Sequence, residues 1–322
     1  MNNQALPLGK TLPNVSRLVF GCMGLGGEWN RNPLTIQDER EAHSAVETAL
    51  DVGINLFDHA DIYKFGKAEQ VFGRILANEP TLRDRIYLQS KCGIRLGDEQ
   101  GVKRYDFSAQ WVTASVDGIL ERLGVENLDV LMLHRPDPLV EFEELGIALK
   151  ALKQSGKVNH FGVSNMSGVQ IELLQQATGE TIVANQLEMS LAKSDFVKQG
   201  IGLPSAASDY VSGTLEHARK HDIQLQAWGS MAQGRFAERG LDSDDHNTRQ
   251  TAEMVLSLAA EYGVSSEAIA LAFLTRHPSQ IQPVIGTSNS QRIRACAQVD
   301  KVKLSRNHWY VLLEKTLGHE IP

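Results

Sequence analysis

A closed (β/α)₈ barrel is the fold class that this chain of 322 residues predicts, on three observations. Short apolar runs rich in β-branched residues alternate with longer stretches at helical spacing. Eight such units follow one another. No linker or low-complexity stretch divides them, so residues 1–322 read as one domain. Alternating strands and helices imply a parallel sheet covered by helices, and eight units match a barrel of ordinary length.

The units run in order. Leu18 to Phe20 reads as a strand ending at Gly21. Asp38 to Val52 reads as a helix with Asp38 in its first turn. The strand Ile54 to Phe57 precedes a short helix, Gln70 to Leu76. Ile86 to Gln89 is a strand, followed by a helix from Ser108 to Leu123 with Ser108 as its cap. Leu128 to Leu133 is a buried strand, and Phe142 to Gln154 a helix closed by Gly156. A strand over His160 to Val163 starts near Val158, before a helix at Val169 to Gln176. Ile182 to Ala184 is the next strand. A long loop, Glu188 to Asp209, enters a helix from Tyr210 to His221. The strand Ile223 to Ala227 leads into a second long loop, Gly229 to Asn247. Helices follow near Thr248 to Tyr262 and Ser266 to Arg276, then the strand Pro283 to Ile285 and a helix at Ser290 to Gln298. This implies one extra helix in the last unit and another, Ser305 to Leu317, at the C-terminus.

A doubly wound open sheet is the rival architecture. A dinucleotide-binding sheet of that kind carries G-x-G-x-x-G after its first strand. The candidate stretch here, "GCMGLGG", places glycines at 21, 24, 26 and 27, and no helix starts within it. The spacing fails, which favours the barrel.

Composition narrows the function. The chain is 42% hydrophobic and 22% charged with a net charge of −7, which argues against a nucleic-acid or anionic-membrane surface. No apolar run reaches the length of a membrane span, and MNNQALPLGK lacks the apolar core of a signal peptide. Cys22, Cys92 and Cys296 are too few and too widely spaced for a disulfide framework. The expectation is a cytoplasmic protein, with monomer as the default state.

Chemistry in such barrels sits at the C-terminal ends of the strands. Those ends offer Asp58 with Tyr63 beyond it, Lys91, His134, Ser164 with Asn165, Asn185 with Gln186, Trp228, and Gly286 with Thr287 and Ser288. Each has a plain structural alternative. Asp58 serves equally as a cap, Tyr63 as packing and His134 as a satisfied core histidine. Lys91 is costly to bury unpaired, which by itself points to function. A metal reading draws on Asp58, His59, Asp61 and His134. The first three share one short loop, and Lys91 would put a cation in the same pocket, so no metal is expected there.

In chain order, "GINLFDHADIY", "SKCG", "LDVLMLHRPD", "GKVNHFGVSN", "ANQLE" and "PVIGTSNSQRI" resemble the aldo/keto reductase family over nearly the whole length. The "HADIY", "HRPDP" and "LGHEIP" pieces look like a bacterial subgroup. The resemblance implies an NADPH-dependent reductase of aldehyde or ketone carbonyls that works without metal on a small-molecule substrate. Its catalytic tetrad would be Asp58, Tyr63, Lys91 and His134. Tyr63 would donate the proton, with a neighbouring lysine cation favouring the phenolate. Asp58 would hold Lys91, and His134 would orient the substrate oxygen. His59 and Asp61 fall outside the tetrad and are read as capping or hydrogen-bonding the loop.

The cofactor positions carry over in the same way. Ser164, Asn165 and Gln186 would hold the nicotinamide carboxamide, and Trp228 would stack on the ring. Gly229, Ser230, Gln233, Gly234 and Arg235 would cross the pyrophosphate. Gly286, Thr287, Ser288 and Arg292 would meet the adenosine 2′-phosphate, where an arginine fork suits phosphate oxygens. Met23, Trp29 and Trp111 are the candidate pocket wall. The chain departs from the family pattern at Gly229-Ser230-Met231, where Ser-Pro-Leu is frequent. It departs also at Gly286, where some relatives have lysine, at Ala295 and Cys296, where some have Glu-Asn, and at Lys64, where many have glycine. The alternative reading is a cofactor-sensing subunit with little turnover.

Overall fold

The computed structural model describes residues 6–99, 101–201, 203 and 211–322. Among them, eight parallel strands close into one barrel. In chain order the strands are β1 (Val19–Gly21), β2 (Leu56–Asp58), β3 (Tyr87–Cys92), β4 (Ile94–Arg95), β5 (Arg104–Tyr105), β6 (Leu128–Leu133), β7 (Val158–Ser164), β8 (Ile182–Glu188), β9 (Gln224–Trp228) and β10 (Gln282–Ile285). The barrel runs β1-β10-β9-β8-β7-β6-β3-β2, while β4 and β5 form a separate antiparallel hairpin above it. The expected fold class is thus the observed one.

The helices coat the barrel where the apolar spacing places them, with boundaries set by caps. The first begins at Ile36, two residues before the expected Asp38, because Thr35 and Asp38 close a reciprocal capping box. Ser108 and Ser305 cap their helices through backbone N–H groups at Trp111 and His308. The paired helices His246–Tyr262 and Ser266–Thr275 lie between β9 and β10. The extra helix therefore belongs to the seventh unit, not the last. A short helix, Asp195–Lys198, interrupts the first long loop, and the helix expected from Tyr210 is observed over Thr214–Lys220. Tyr210 itself lies outside the described residues.

"GCMGLGG" forms a turn rather than a phosphate cradle. Gly26 has φ +81°, and a Cβ there would meet the Lys67 backbone at 2.9 Å. This close approach seats the loop after β1 on the start of the helix Lys67–Asn78.

Inside the barrel, Val19, Leu56, Val130, Met132, Ala184 and Val284 pack with Leu8 and Leu12 of the N-terminal segment. A polar layer crosses the same interior. β3 and β9 stand four strands apart in the ring of eight, on opposite walls. Gln89 on β3 donates to Gln226 on β9 (2.9 Å), and Gln226 donates back (3.2 Å). Gln186 donates to Gln226 (3.1 Å), and Gln226 donates to Gln282 (3.1 Å). All four are buried, and every amide named is hydrogen-bonded, as buried polar groups must be.

Candidate active site

The polar layer leads directly to the strand ends. Gln89 also donates to Asp58 Oδ1 (2.6 Å), and Lys91 Nζ donates to Asp58 Oδ2 (2.6 Å). Both carboxylate oxygens are therefore committed. Lys91 donates further to the His59 carbonyl (2.9 Å) and to the Tyr63 hydroxyl (3.1 Å). Its side chain is 1% exposed, against 3% for Asp58. The ammonium has three donors, and all three are directed. Tyr63 meets His134 edge to face, with ring centroids 6.0 Å apart. Asp58, Tyr63, Lys91 and His134 thus converge on one place from β2, β3 and β6.

The electrostatics follow from burial and from this pairing. Burial pulls the Lys91 pKa down, but Asp58 and Tyr63 outweigh it and the net direction is up. Lys91 is a cation. The Tyr63 phenol is raised, first by burial, with Lys91 opposing and Asp58 adding to the rise. The expected lowering by lysine is present, yet desolvation exceeds it, because Asp58 offsets much of the lysine charge. The hydroxyl keeps its proton. His134 is held well below the usual imidazole value by burial, then by Lys91, Arg135 and Lys103. It is a neutral ring, and its Nδ1 is buried without a protein partner.

His59 differs from expectation, whereas Asp61 hydrogen-bonds its own loop at Ile62 as expected. The His59 ring caps nothing. It is fully buried against Phe72 (centroids 4.7 Å apart), with neither ring nitrogen hydrogen-bonded. Burial, then Lys91, lowers its pKa to about 3. Asp61 has its carboxyl raised to about 7 by burial and then by Glu69, with Arg122 and hydrogen bonds from Ile62 and Ser115 opposing. Its backbone N–H donates to the Lys91 carbonyl (3.0 Å). Lys64 and Phe65 follow Tyr63 in the left-handed region, at φ +52° and +59°. A glycine would adopt that conformation freely, whereas a residue with a Cβ is strained there by roughly 1–2 kcal/mol.

The expected cofactor residues form two groups. Ser164 donates to the Gln186 carbonyl (2.8 Å), and Asn165 donates to Ser164 Oγ (2.8 Å) and the His134 carbonyl (3.3 Å). Trp228 Nε1 donates to Asn165 Oδ1 (3.1 Å). Asn165 has φ +61°, held by these contacts. Ser164, Asn165, Gln186 and Trp228 therefore form one cluster joined to His134. Gly229 opens the following loop at φ +65°, but the Ser230 side chain turns inward and donates to the Val284 carbonyl (2.8 Å). Gln233 is exposed with φ +57°, and Gly234 has φ +75°. Arg235 is engaged by Asp245 (3.1 Å) and Thr248 (2.9 Å).

The second group lies at the end of β10. Gly286 and Ser288 are exposed, Thr287 is half-buried, and Arg292 is exposed in a helix capped by Asn289. Ser288 and Asn289 face Gln37, Arg40, Glu41 and Ser44 across an open cleft of ≈ 450 Å³. Arg40 is thus a second arginine beside the expected adenosine end. Its sequence signal was only that of a solvated helix face.

Of the candidate pocket residues, Met23 and Trp29 share the connection after β1, and Trp111 lies in the first turn of the helix Ala109–Leu123. Met23 and Trp29 are 52% and 44% exposed. Trp29 meets Phe65 edge-on and lies 5.4 Å beneath the Lys64 ammonium. Trp111 lies under the Arg95 guanidinium at 4.3 Å, its indole N–H without a protein partner. Cys22 and Cys92 are fully buried, and burial raises both thiols well above the ordinary value. They are packing residues with little thiolate to react.

Comparison with known proteins places this arrangement. Residues 17–314 match the Aldo/keto reductase family. A 6-dehydroglucose reductase of Agrobacterium fabrum (strain C58 / ATCC 33970) is 34% identical, over 95% of this chain and 96% of its own length. Oxidoreductase YdhF of Escherichia coli (strain K12) is 32% identical over 99% of each chain. Among solved structures, a thermostable aldo-keto reductase, Tm1743, in complex with the inhibitor epalrestat superposes with TM-score 0.74. That superposition covers 94% of this chain and 95% of the other at 20% identity, a likeness of fold. This chain belongs to the aldo/keto reductase family, whose members are oxidoreductases.

Proposed function

We propose that the protein is an NADPH-dependent reductase of aldehyde or ketone carbonyls, with Tyr63 as the proton donor. The observation that carries this reading is the buried chain Asp58–Lys91–Tyr63, at 2.6 and 3.1 Å. The surroundings fit a nicotinamide nucleotide. The Ser164–Asn165–Trp228 cluster adjoins the tetrad, and the exposed arginines Arg40 and Arg292 flank the strand end 286–288, where a 2′-phosphate would sit.

The reduced nucleotide, when bound, supplies a hydride to the carbonyl carbon. The protein handles the oxygen, where negative charge develops. Tyr63 Oη gives its proton to that oxygen. Lys91, fixed by Asp58, stabilises the phenolate left behind. Neutral His134 donates a hydrogen bond that orients the carbonyl without competing as an acid. A positioned proton donor contributes roughly 10²- to 10⁴-fold in rate. The substrate is proposed to be a small molecule. No single helix among the described residues is long and apolar enough to cross a membrane. The three free, buried cysteines suit a reducing cytoplasm.

The test is NADPH oxidation followed by absorbance, against aromatic aldehydes, short aliphatic aldehydes and a 6-oxo sugar. The last is included because two relatives are named 6-dehydroglucose reductase. NADH runs as the parallel cofactor. Native turnover that falls by about 10²-fold or more in Tyr63→Phe supports the reading. Tight NADPH binding without turnover points to a sensing subunit instead, and absence of binding overturns the cofactor assignment.

A further inference from the structure

We propose that His217, His221 and Glu172 form a binding site for a divalent transition-metal ion such as Zn²⁺, outside the barrel mouth and independent of carbonyl reduction. His217 lies on the helix Thr214–Lys220, and His221 is the C-cap residue of that helix. The i,i+4 spacing puts both imidazoles on one face. Glu172 comes from the neighbouring helix Gly168–Thr178. The two elements approach closely because residue 168 is glycine, where a Cβ would lie 2.6 Å from the His217 ring.

Three observations support a ligand at this point. One carboxylate oxygen, Glu172 Oε1, faces both imidazoles, at 3.3 Å from His217 Nε2 and 3.8 Å from His221 Nε2. All three donor atoms lie within 4.8 Å of one another. Zinc bonds to imidazole nitrogen and carboxylate oxygen are about 2.0–2.2 Å long, so neighbouring ligands in a tetrahedral site stand roughly 3.4 Å apart. The spacing observed needs only small side-chain adjustments.

Next, the His217 side chain is only 10% exposed, its Nε2 faces the Glu172 carboxylate, and its Nδ1 has no hydrogen-bond partner. A metal ion held between Nε2 and the carboxylate would replace that long contact with two short bonds. Last, the histidine rings are nearly stacked, with centroids 4.5 Å apart and planes inclined by 35°. That arrangement brings the two imidazoles together without a hydrogen bond between them. Two imidazoles and one carboxylate are a donor set suited to zinc and similar ions rather than to calcium or magnesium, which prefer all-oxygen ligands. The fourth position is open to water.

Bound metal would tie the helix Thr214–Lys220 to the helix Gly168–Thr178, which begins three residues after Asn165. The site is not part of the proposed hydride chemistry, so its test stands whether or not the reductase reading holds.

The measurement is calorimetric titration of chelator-treated protein with ZnCl₂, paired with the thermal midpoint with and without zinc. Wild type is expected to bind one zinc ion per chain and to gain thermal stability. His221→Asn and Glu172→Gln change exposed side chains (37% and 55%) and should fold normally. Each should weaken binding by at least the 10- to 100-fold typical of losing a ligand's supporting partner. The double variant His217→Asn/His221→Asn should lose the saturable event. No saturable binding by wild type overturns the site. So does equal affinity in His221→Asn, Glu172→Gln and wild type, which would place the ion elsewhere.

Discussion

Strand β3 meets a buried ion pair on each of its faces, and the two pairs do different work. Inward, Lys91 joins Asp58 and Tyr63 within the barrel. Outward, one residue earlier, Ser90 donates to Glu69 (2.7 Å), which also accepts from Arg122 (2.7 Å). Glu69 is fully buried, and its pKa is raised by burial, with Arg122 and Ser90 opposing. Both sets satisfy a desolvated charge with hydrogen bonds, as burial requires. The inner set differs in one respect: its cation also touches a hydroxyl that can give up a proton. Burial and pairing are common to both sets; contact with an exchangeable hydroxyl belongs to the inner one.

The largest effect that separates the pairs is expected from Lys91→Met. Turnover should fall by roughly 10²- to 10⁴-fold. Stability should fall as well, by about 3–5 kcal/mol, because Asp58 is left charged and buried. Adding Asp58→Asn should recover much of the stability and none of the rate. Recovery of both would mean that the inner pair serves only the fold.

Arg122→Met breaks the outer pair in the same way. The expected loss is on the order of 2–3 kcal/mol in urea unfolding, less than for a fully buried pair, since the Arg122 side chain keeps 25% exposure. Turnover per folded molecule should stay within about twofold. A rate loss comparable to that of Lys91→Met would erase the distinction between the two faces.

A finer test uses the loop between the pairs. His59 is depressed to about 3 from 6.5, so it adds stability above 6.5 that is lost as pH falls. Asp61 is raised from 3.8 to about 7, so its contribution is complete below 3.8 and lost as pH rises through 7. Between 3.8 and 6.5 the two slopes oppose each other. Asp61→Asn should expose the histidine slope, about 1.4 kcal/mol per pH unit at most. Unfolding free energy should then rise with pH across that window by on the order of 1–3 kcal/mol more than in wild type. Parallel curves for the two proteins would show that the carboxyl titrates normally in the fold.

The barrel was legible in the sequence because short apolar runs recur between helical stretches, and several of them, such as Leu56–Phe57 and Leu128–Leu133, stop at a polar residue. That same stop names Asp58, Lys91 and His134. Elements too short to carry a period were not legible, such as the hairpin Ile94–Arg95 with Arg104–Tyr105 and the helix Asp195–Lys198. Partners remote in sequence were also hidden. Glu69 and Arg122 are 53 positions apart, and nothing local links them. Gln89 and Gln226 interrupt apolar strands without showing that they meet across the barrel. The Tyr63 pKa required knowing its burial, which composition does not report.

The cross-barrel glutamines constrain how this interior can drift. Gln89 serves Asp58 and Gln226 together, while Gln226 serves Gln89, Gln186 and Gln282. An apolar residue at any one position strands the amides that faced it, each at about 1–3 kcal/mol. Replacing Gln226 and Gln282 together by well-packed apolar side chains would still leave Gln186 and Gln89 short of partners. Neutral routes between a polar and an apolar interior therefore need several changes at once. Single substitutions on β9, opposite Lys91 and touching neither it nor Tyr63, would reach the site through Gln89 and Asp58.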